Sequence, residues 1–126
     1  MSDFQKAKEF LRQQGAIIKL QNQEFVTFKG LLNLGHMRGI KSLITEEISF
    51  DNEGDNPSYL TRWKCTIVGQ DDSVFTAHGD ASPKNVGKMI IPHLLRMGET
   101  RAVARCLRFF TGFGLTSIDE MGGNHE

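Results

Sequence analysis

Arg101, Arg105 and Arg108 stand at helical spacing in the stretch ETRAVARCLRFFTGFG. At 100° per residue they fall within about 60° of one another, and Leu95, Ala102, Val103, Cys106, Leu107 and Phe110 take the opposite arc. A guanidinium group donates two parallel hydrogen bonds to a phosphate and stacks its plane on a base. Such a row is therefore either a solvated helical face or a ruler laid against a polyanion. Glu99 is the only carboxylate in this segment, so the arginines have no acidic neighbours on their own side. Glu99 itself falls among the apolar positions, where an unpaired carboxylate is costly. Arg96, three residues earlier, is its expected partner.

A second basic group lies in YLTRWKCTIVG. Arg62, Lys64 and Thr66 share one parity of an alternating segment, with Tyr59, Trp63, Cys65 and Ile67 on the other. Lys41, on the preceding segment, can lie beside them. An open basic sheet face next to an arginine-lined helix would form a groove for a phosphate backbone; a plain solvated sheet face is the alternative. His78 and Asp80 in AHGDASP could suggest a metal or an acid–base pair. His36, His93 and His125 are scattered, and no HxH, HExxH or CxxC spacing points to a metal. The glycines of TGFG and GDASPKNVG match no nucleotide-binding fingerprint. Cys65 and Cys106 sit far apart in apolar patterns and read as buried thiols. No nucleophile–base set is visible, so the chain reads as a non-enzyme without a cofactor or metal.

The elements that must position these residues follow from caps and periodicity. Ser2 caps a first helix ended by Gly15, with Phe4, Ala7 and Leu11 on one face. AIIKL is a short strand or extended lead-in. Thr27 caps a second helix stopped by Gly39, and the internal Gly30 and Gly35 each weaken it by about 1 kcal/mol. Then come three strands, IKSLITEEISF, YLTRWKCTIVG and SVFTAHGD. In the first of them Ile40, Ile44, Ile48 and Phe50 share a parity. Ser82 and Pro83 carry a helix-start signature, and Pro92 interrupts or restarts the helix that runs on to about Phe110.

The expected architecture is α+β: an antiparallel sheet of three to four strands, covered on one face by a long C-terminal helix and preceded by N-terminal helices. Residues 1–39 form the N-terminal lead-in of a single domain. Residues 40–114 form a β-β-β-α core, and 115–126, too polar and glycine-rich for the interior, a mobile tail.

At 126 residues, with 39% hydrophobic and 24% charged, the chain can bury a core without staples. No apolar run is long enough to cross a bilayer, and MSDFQKAKEF lacks a secretory core, which points to the cytoplasm. The formal net charge of zero excludes nucleic-acid binding by bulk charge. Local charge is uneven, however. Glu46, Glu47, Asp51, Glu53 and Asp55 cluster without a basic residue, whereas Lys88, Arg96, Arg101, Arg105 and Arg108 face Glu99 alone.

The order strand–strand–strand–helix, with VFTAHGDASP leading to PHLLRMGETRAVARCLRFFTGFG, resembles the single-strand annealing superfamily of Rad fifty-two-like proteins and its small bacterial and phage relatives. The likeness spans roughly Ile40 to Gly114. In that family the helix carries a basic-basic-apolar-apolar-basic motif before a glycine-bearing aromatic turn; here the stretch is ARCLRFFTGFG. Arg105 and Arg108 match two of the family's DNA contacts, and Ala104 stands where a lysine is found. The resemblance implies single-stranded DNA binding and strand annealing in recombination or repair by a homo-oligomeric ring or filament, together with other recombination proteins. Arg105 and Arg108 would hold phosphates from the helix side with Arg101 extending the line, and Arg62, Lys64 and Lys41 from the sheet side. Two other readings compete. One is a small interaction module, or an accessory subunit without DNA affinity, that docks a partner through the acidic loop Asp51–Asp55. The other is a hydrolase using His78 and Asp80 with a borrowed metal.

Overall fold

The computed structural model describes residues 2–51 and 60–123. Most of the acidic loop at 51–55, Tyr59 and His125 lie outside the described residues. The chain runs α1 (Asp3–Gln13), β1 (Ile17–Leu20), β2 (Gln23–Val26), α2 (Phe28–Arg38), β3 (Ile40–Asp51), β4 (Leu60–Gly69) and β5 (Val74–Ala81). A 3-10 helix over Lys88–His93 leads into α3 (Leu94–Thr111), and a last 3-10 helix covers Ile118–Met121. This is the expected α+β arrangement.

The caps do what their residue types dictate. The Ser2 hydroxyl accepts from the Gln5 amide while the Gln5 side chain accepts from the Ser2 amide, a reciprocal box that starts α1. Thr27 accepts from the Gly30 amide at 3.0 Å, and Gly39, at φ 107°, ends α2 in a left-handed conformation. The segment AIIKL pairs with β2, a strand not anticipated, through a two-residue turn. Both turn residues, Gln21 (φ 51°) and Asn22 (φ 63°), are left-handed, as a tight hairpin requires. The Ser82–Pro83 start signature yields a single turn rather than a helix: the Asn85 amide donates to the Ser82 carbonyl at 3.0 Å, and regular structure resumes only at Lys88.

Strands β3, β4 and β5 form an antiparallel sheet in sequence order. The odd residues of β4 and β5 face α3: Cys65, Ile67 and Ala77 are buried there, and Trp63 and Phe75 partly so. In β3 the shared parity does not keep one face: Ile40 packs against the core, whereas Ile44 and Ile48 do not. Register shifts between Ile40 and Ser42 and between Glu47 and Ser49 place Leu43 opposite Ile67 and Thr45 opposite Cys65, under the helix. Ile44 and Ile48 consequently stand on the open face, 62% and 51% exposed. Side-chain alternation cannot survive an inserted residue, and nothing in IKSLITEEISF marks where the bulges fall.

Helix α3 covers one face of the sheet, as expected, and is itself covered on its other side. The sheet packs on one side, and α2 packs on the other, where a Cβ at Gly35 would lie 2.8 Å from Leu107 Cδ2. Leu11, Val26, Leu31, Leu107, Phe110 and Phe113 belong to one continuous core spanning both layers. Burying such side chains is worth about 1.5–3 kcal/mol each. Leu95, assigned to the apolar arc, is 49% exposed, and Leu94 is buried instead, beneath the Lys88–His93 turn with Ala81 and Val86.

The segment read as a mobile tail folds back onto this core up to Gly123. Ser117 is fully buried, bridges to Val26 and caps the last 3-10 helix in a second reciprocal box with Glu120. Asp119 accepts from the Phe28 amide at 2.7 Å, at the start of α2. No described helix is long and apolar enough to cross a membrane.

Candidate nucleic-acid interface

The place of α3 against the sheet is set by two glycines. A Cβ at Gly79 of β5 would lie within 2.7 Å of the Arg101 carbonyl carbon and closer still to the Ala102 nitrogen; one at Gly98 would lie 2.7 Å from Trp63 Cδ1. Backbone therefore meets backbone where the helix crosses the edge strand. The crossing brings the arginine arc of α3 to the exposed edge of β5. A cavity of about 670 Å³ opens there, lined by Arg101, Arg105 and Arg108 from the helix, Arg62, His78 and Asp80 from the sheet, and Glu120 from the C-terminal turn. Four guanidinium groups thus meet two carboxylates in one concave surface.

The four arginines are not equivalent. Arg101 donates from Nε to the Glu120 carbonyl (2.8 Å), from Nη1 to the Asp80 carbonyl (3.1 Å) and to Asn85 Oδ1 (2.7 Å), and from Nη2 to the Asn85 carbonyl (2.9 Å). Four of its five donors are thereby committed to the fold. Burial pulls its pKa below the usual arginine value, against the opposing pull of Asp80 and Glu120. Arg101 is a staple joining α3, the β5 exit and the C-terminal turn, not an extension of a phosphate-binding line.

Arg108 pairs with Glu120 at 2.6 Å, and Glu120 also accepts from the Ser117 amide at 2.9 Å. The pair is mostly enclosed, with side-chain exposures of 25% and 10%, and Arg108 Nε is buried without a hydrogen-bond partner. Its charge is largely compensated before any ligand arrives. Arg105, by contrast, is exposed and pairs with no carboxylate among the described residues; its guanidinium lies 5.9 Å from the Phe109 ring centroid. Arg62 is exposed on the sheet side and donates to Ser49 at 2.9 Å.

The two lysines do not join them. Lys64 sits 3.9 Å from Glu46 across the open face, and Lys41 contacts Asp72 at 3.0 Å in the β4–β5 turn. Lys41 is eight residues along β3 from Ser49, roughly 25 Å from the Arg62 end by strand rise. The sheet-side contribution therefore reduces to Arg62. Glu99 is held not by Arg96 but by Thr45, whose hydroxyl donates to it at 2.6 Å; Arg96 instead lies beside His93. A threonine on a facing strand is invisible to helix periodicity.

His78 faces Lys64 across the sheet, and Asp80 accepts from the Asn85 side chain at 3.2 Å. Among the described residues, no group of three or more His, Cys, Asp or Glu side chains could hold a metal ion. Cys65 and Cys106 are both fully buried, and the Cys106 thiol donates to the Cys65 and Phe75 carbonyls; the neighbouring Cys106 side chain, reinforced by burial, holds the Cys65 thiol well above the usual thiol range. Asn85 and Glu120, which fix two of the arginines, escaped the sequence reading. The only signal for Glu120 is the S-x-x-E spacing of SIDE, a capping-box pattern. Neither the family models nor the curated proteins compared with this chain give a match.

Proposed function

We propose that this chain binds single-stranded DNA in the groove at the β5 edge and promotes strand annealing in recombination or repair. On this reading it is a cytoplasmic homo-oligomer of the Rad fifty-two-like type, and it performs no covalent chemistry. The observation that carries it is the convergence of Arg62 from the sheet and Arg105 from the helix on one cavity, which Arg101 and Arg108 also line. Arg105 supplies a charge paired with no described carboxylate, and Arg62 adds positive charge from the sheet. Arg101 and Arg108 line the same cavity but are bonded within the fold. A single-stranded phosphate backbone suits such a surface because each neutralised phosphate releases counterion.

The test is a filter or gel-shift titration with a single-stranded oligonucleotide at several salt concentrations. The Arg62→Ala, Arg105→Ala double variant should lose most of its affinity and retain the parent's circular dichroism and melting temperature. Parent-like binding by this variant removes the groove assignment. A parent that ignores DNA even at low salt returns the chain to the class of interaction modules. Arg108→Ala is the poorer probe, because it also strands the Glu120 carboxylate inside the fold.

A further inference from the structure

Of the described residues between Arg101 and Phe110, only Arg105 and Phe109 are exposed; layers on both sides cover the rest of this stretch, including Ala104. Along this stretch of α3 the exposed side chains are thus one cation and one aromatic ring. The chain contains another arginine–aromatic pair for comparison. Arg38 lies 4.0 Å from the centroid of Phe110, but that ring is 2% exposed and also meets Phe75 edge-on, so its faces are consumed by the core. Phe109 is 53% exposed; it is not itself part of the cavity lining, but its ring centroid lies 5.9 Å from the guanidinium of Arg105, which is.

We infer that Phe109 is a base-stacking platform for single-stranded nucleic acid, with Arg105 holding the adjoining phosphate. The inference rests on the proposed groove and adds what that groove lacks, a contact to bases. An aromatic face accepts any base, and a single strand offers base faces that a duplex keeps stacked. The guanidinium beside the ring attracts the phosphate that accompanies the stacked base. Each element is suited to one half of a nucleotide, and the two are one helical turn apart. A base seated on the rim remains turned outward, as pairing with an incoming strand requires.

Anisotropy titrations compare an oligothymidylate with an abasic deoxyribose-phosphate strand of equal length. The parent should prefer the oligothymidylate by about tenfold, within the range of one aromatic–base contact. Phe109→Ala should bind both strands alike with an unchanged salt slope, and Phe109→Trp should keep the preference. Arg105→Ala should weaken both strands and flatten the slope. If Phe109→Ala keeps the preference, or the parent shows none, the platform is wrong while the groove stands. A parent that binds neither strand overturns groove and platform together. The same holds for a parent that binds only polyglutamate, which marks the pair as a protein-docking site.

Discussion

Two stretches of one helix put the same side chain to opposite uses. Around Arg101 the guanidinium reaches inward to the backbone of Asp80, Asn85 and Glu120, and it sits where a Cβ at Gly122 would collide with it. Around Arg105, one turn later, the guanidinium meets Phe109 and solvent. Both line the same cavity. What separates them is the supply of acceptors within reach: the β5 exit and the C-terminal turn offer carbonyls to Arg101, whereas Arg105 pairs with no carboxylate among the described residues. A row of like charges at helical spacing is therefore not a row of like functions.

The widest expected gap is in stability. Arg101→Ala removes four hydrogen bonds and leaves several peptide carbonyls in a crowded site without their donor. Hydrogen bonds to a charged group are worth about 1.5–3 kcal/mol each. Water can reach part of the vacated space, so a net loss of about 3 kcal/mol is expected in urea denaturation. Arg101→Lys should recover little of it, since one ammonium cannot span the carbonyls of Glu120, Asp80 and Asn85. Near-complete rescue by lysine would show that charge, not the fork, holds these segments together. Arg101 would then resemble Arg105 more than the comparison allows.

Arg108 lies between the extremes. Arg108→Ala should cost about 2 kcal/mol, less than a fully buried pair because one partner retains some solvent contact. Adding Glu120→Gln to that variant should restore part of the loss by removing the stranded charge. If Arg108→Ala melts like the parent and still abolishes DNA binding, the Glu120 pair is only a resting contact and Arg108 belongs with Arg105.

Local signals were legible in the sequence wherever one residue decides the outcome. Ser2 and Thr27 at helix starts, Gly39 at a helix end, and the alternation of Trp63, Cys65 and Ile67 under the helix each follow from their own chemistry. The β1–β2 hairpin was not legible because its turn uses Gln21 and Asn22 with no glycine. The bulges in β3 were hidden because register depends on the partner strand. At the site, periodicity brought Arg101, Arg105 and Arg108 to one side of α3. Which of them were engaged depended on carbonyls 16 to 21 residues from Arg101 and on the Glu120 carboxylate for Arg108, none of them visible to helix periodicity. A tail judged by polarity alone concealed Ser117 and Glu120, whose polar groups satisfy one another and so can be buried.

The smallest expected effect on stability makes the sharpest test of the comparison. Arg105→Ala removes an exposed side chain that makes an arginine–ring contact on its own helix, so the unfolding free energy should stay within about 0.5 kcal/mol of the parent. Its affinity for a single strand should nonetheless fall, and the slope of log K against log salt should shrink by about 0.7 for the lost phosphate. Arg101→Ala, if it remains folded at low temperature, should leave that slope unchanged, because its guanidinium is bonded internally and neutralises no phosphate. A slope that moves in Arg101→Ala and not in Arg105→Ala would invert the assignment. Measuring both variants at one temperature below their melting ranges separates loss of charge from loss of fold, since an unfolded fraction lowers the amount of active protein without altering how the remainder responds to salt.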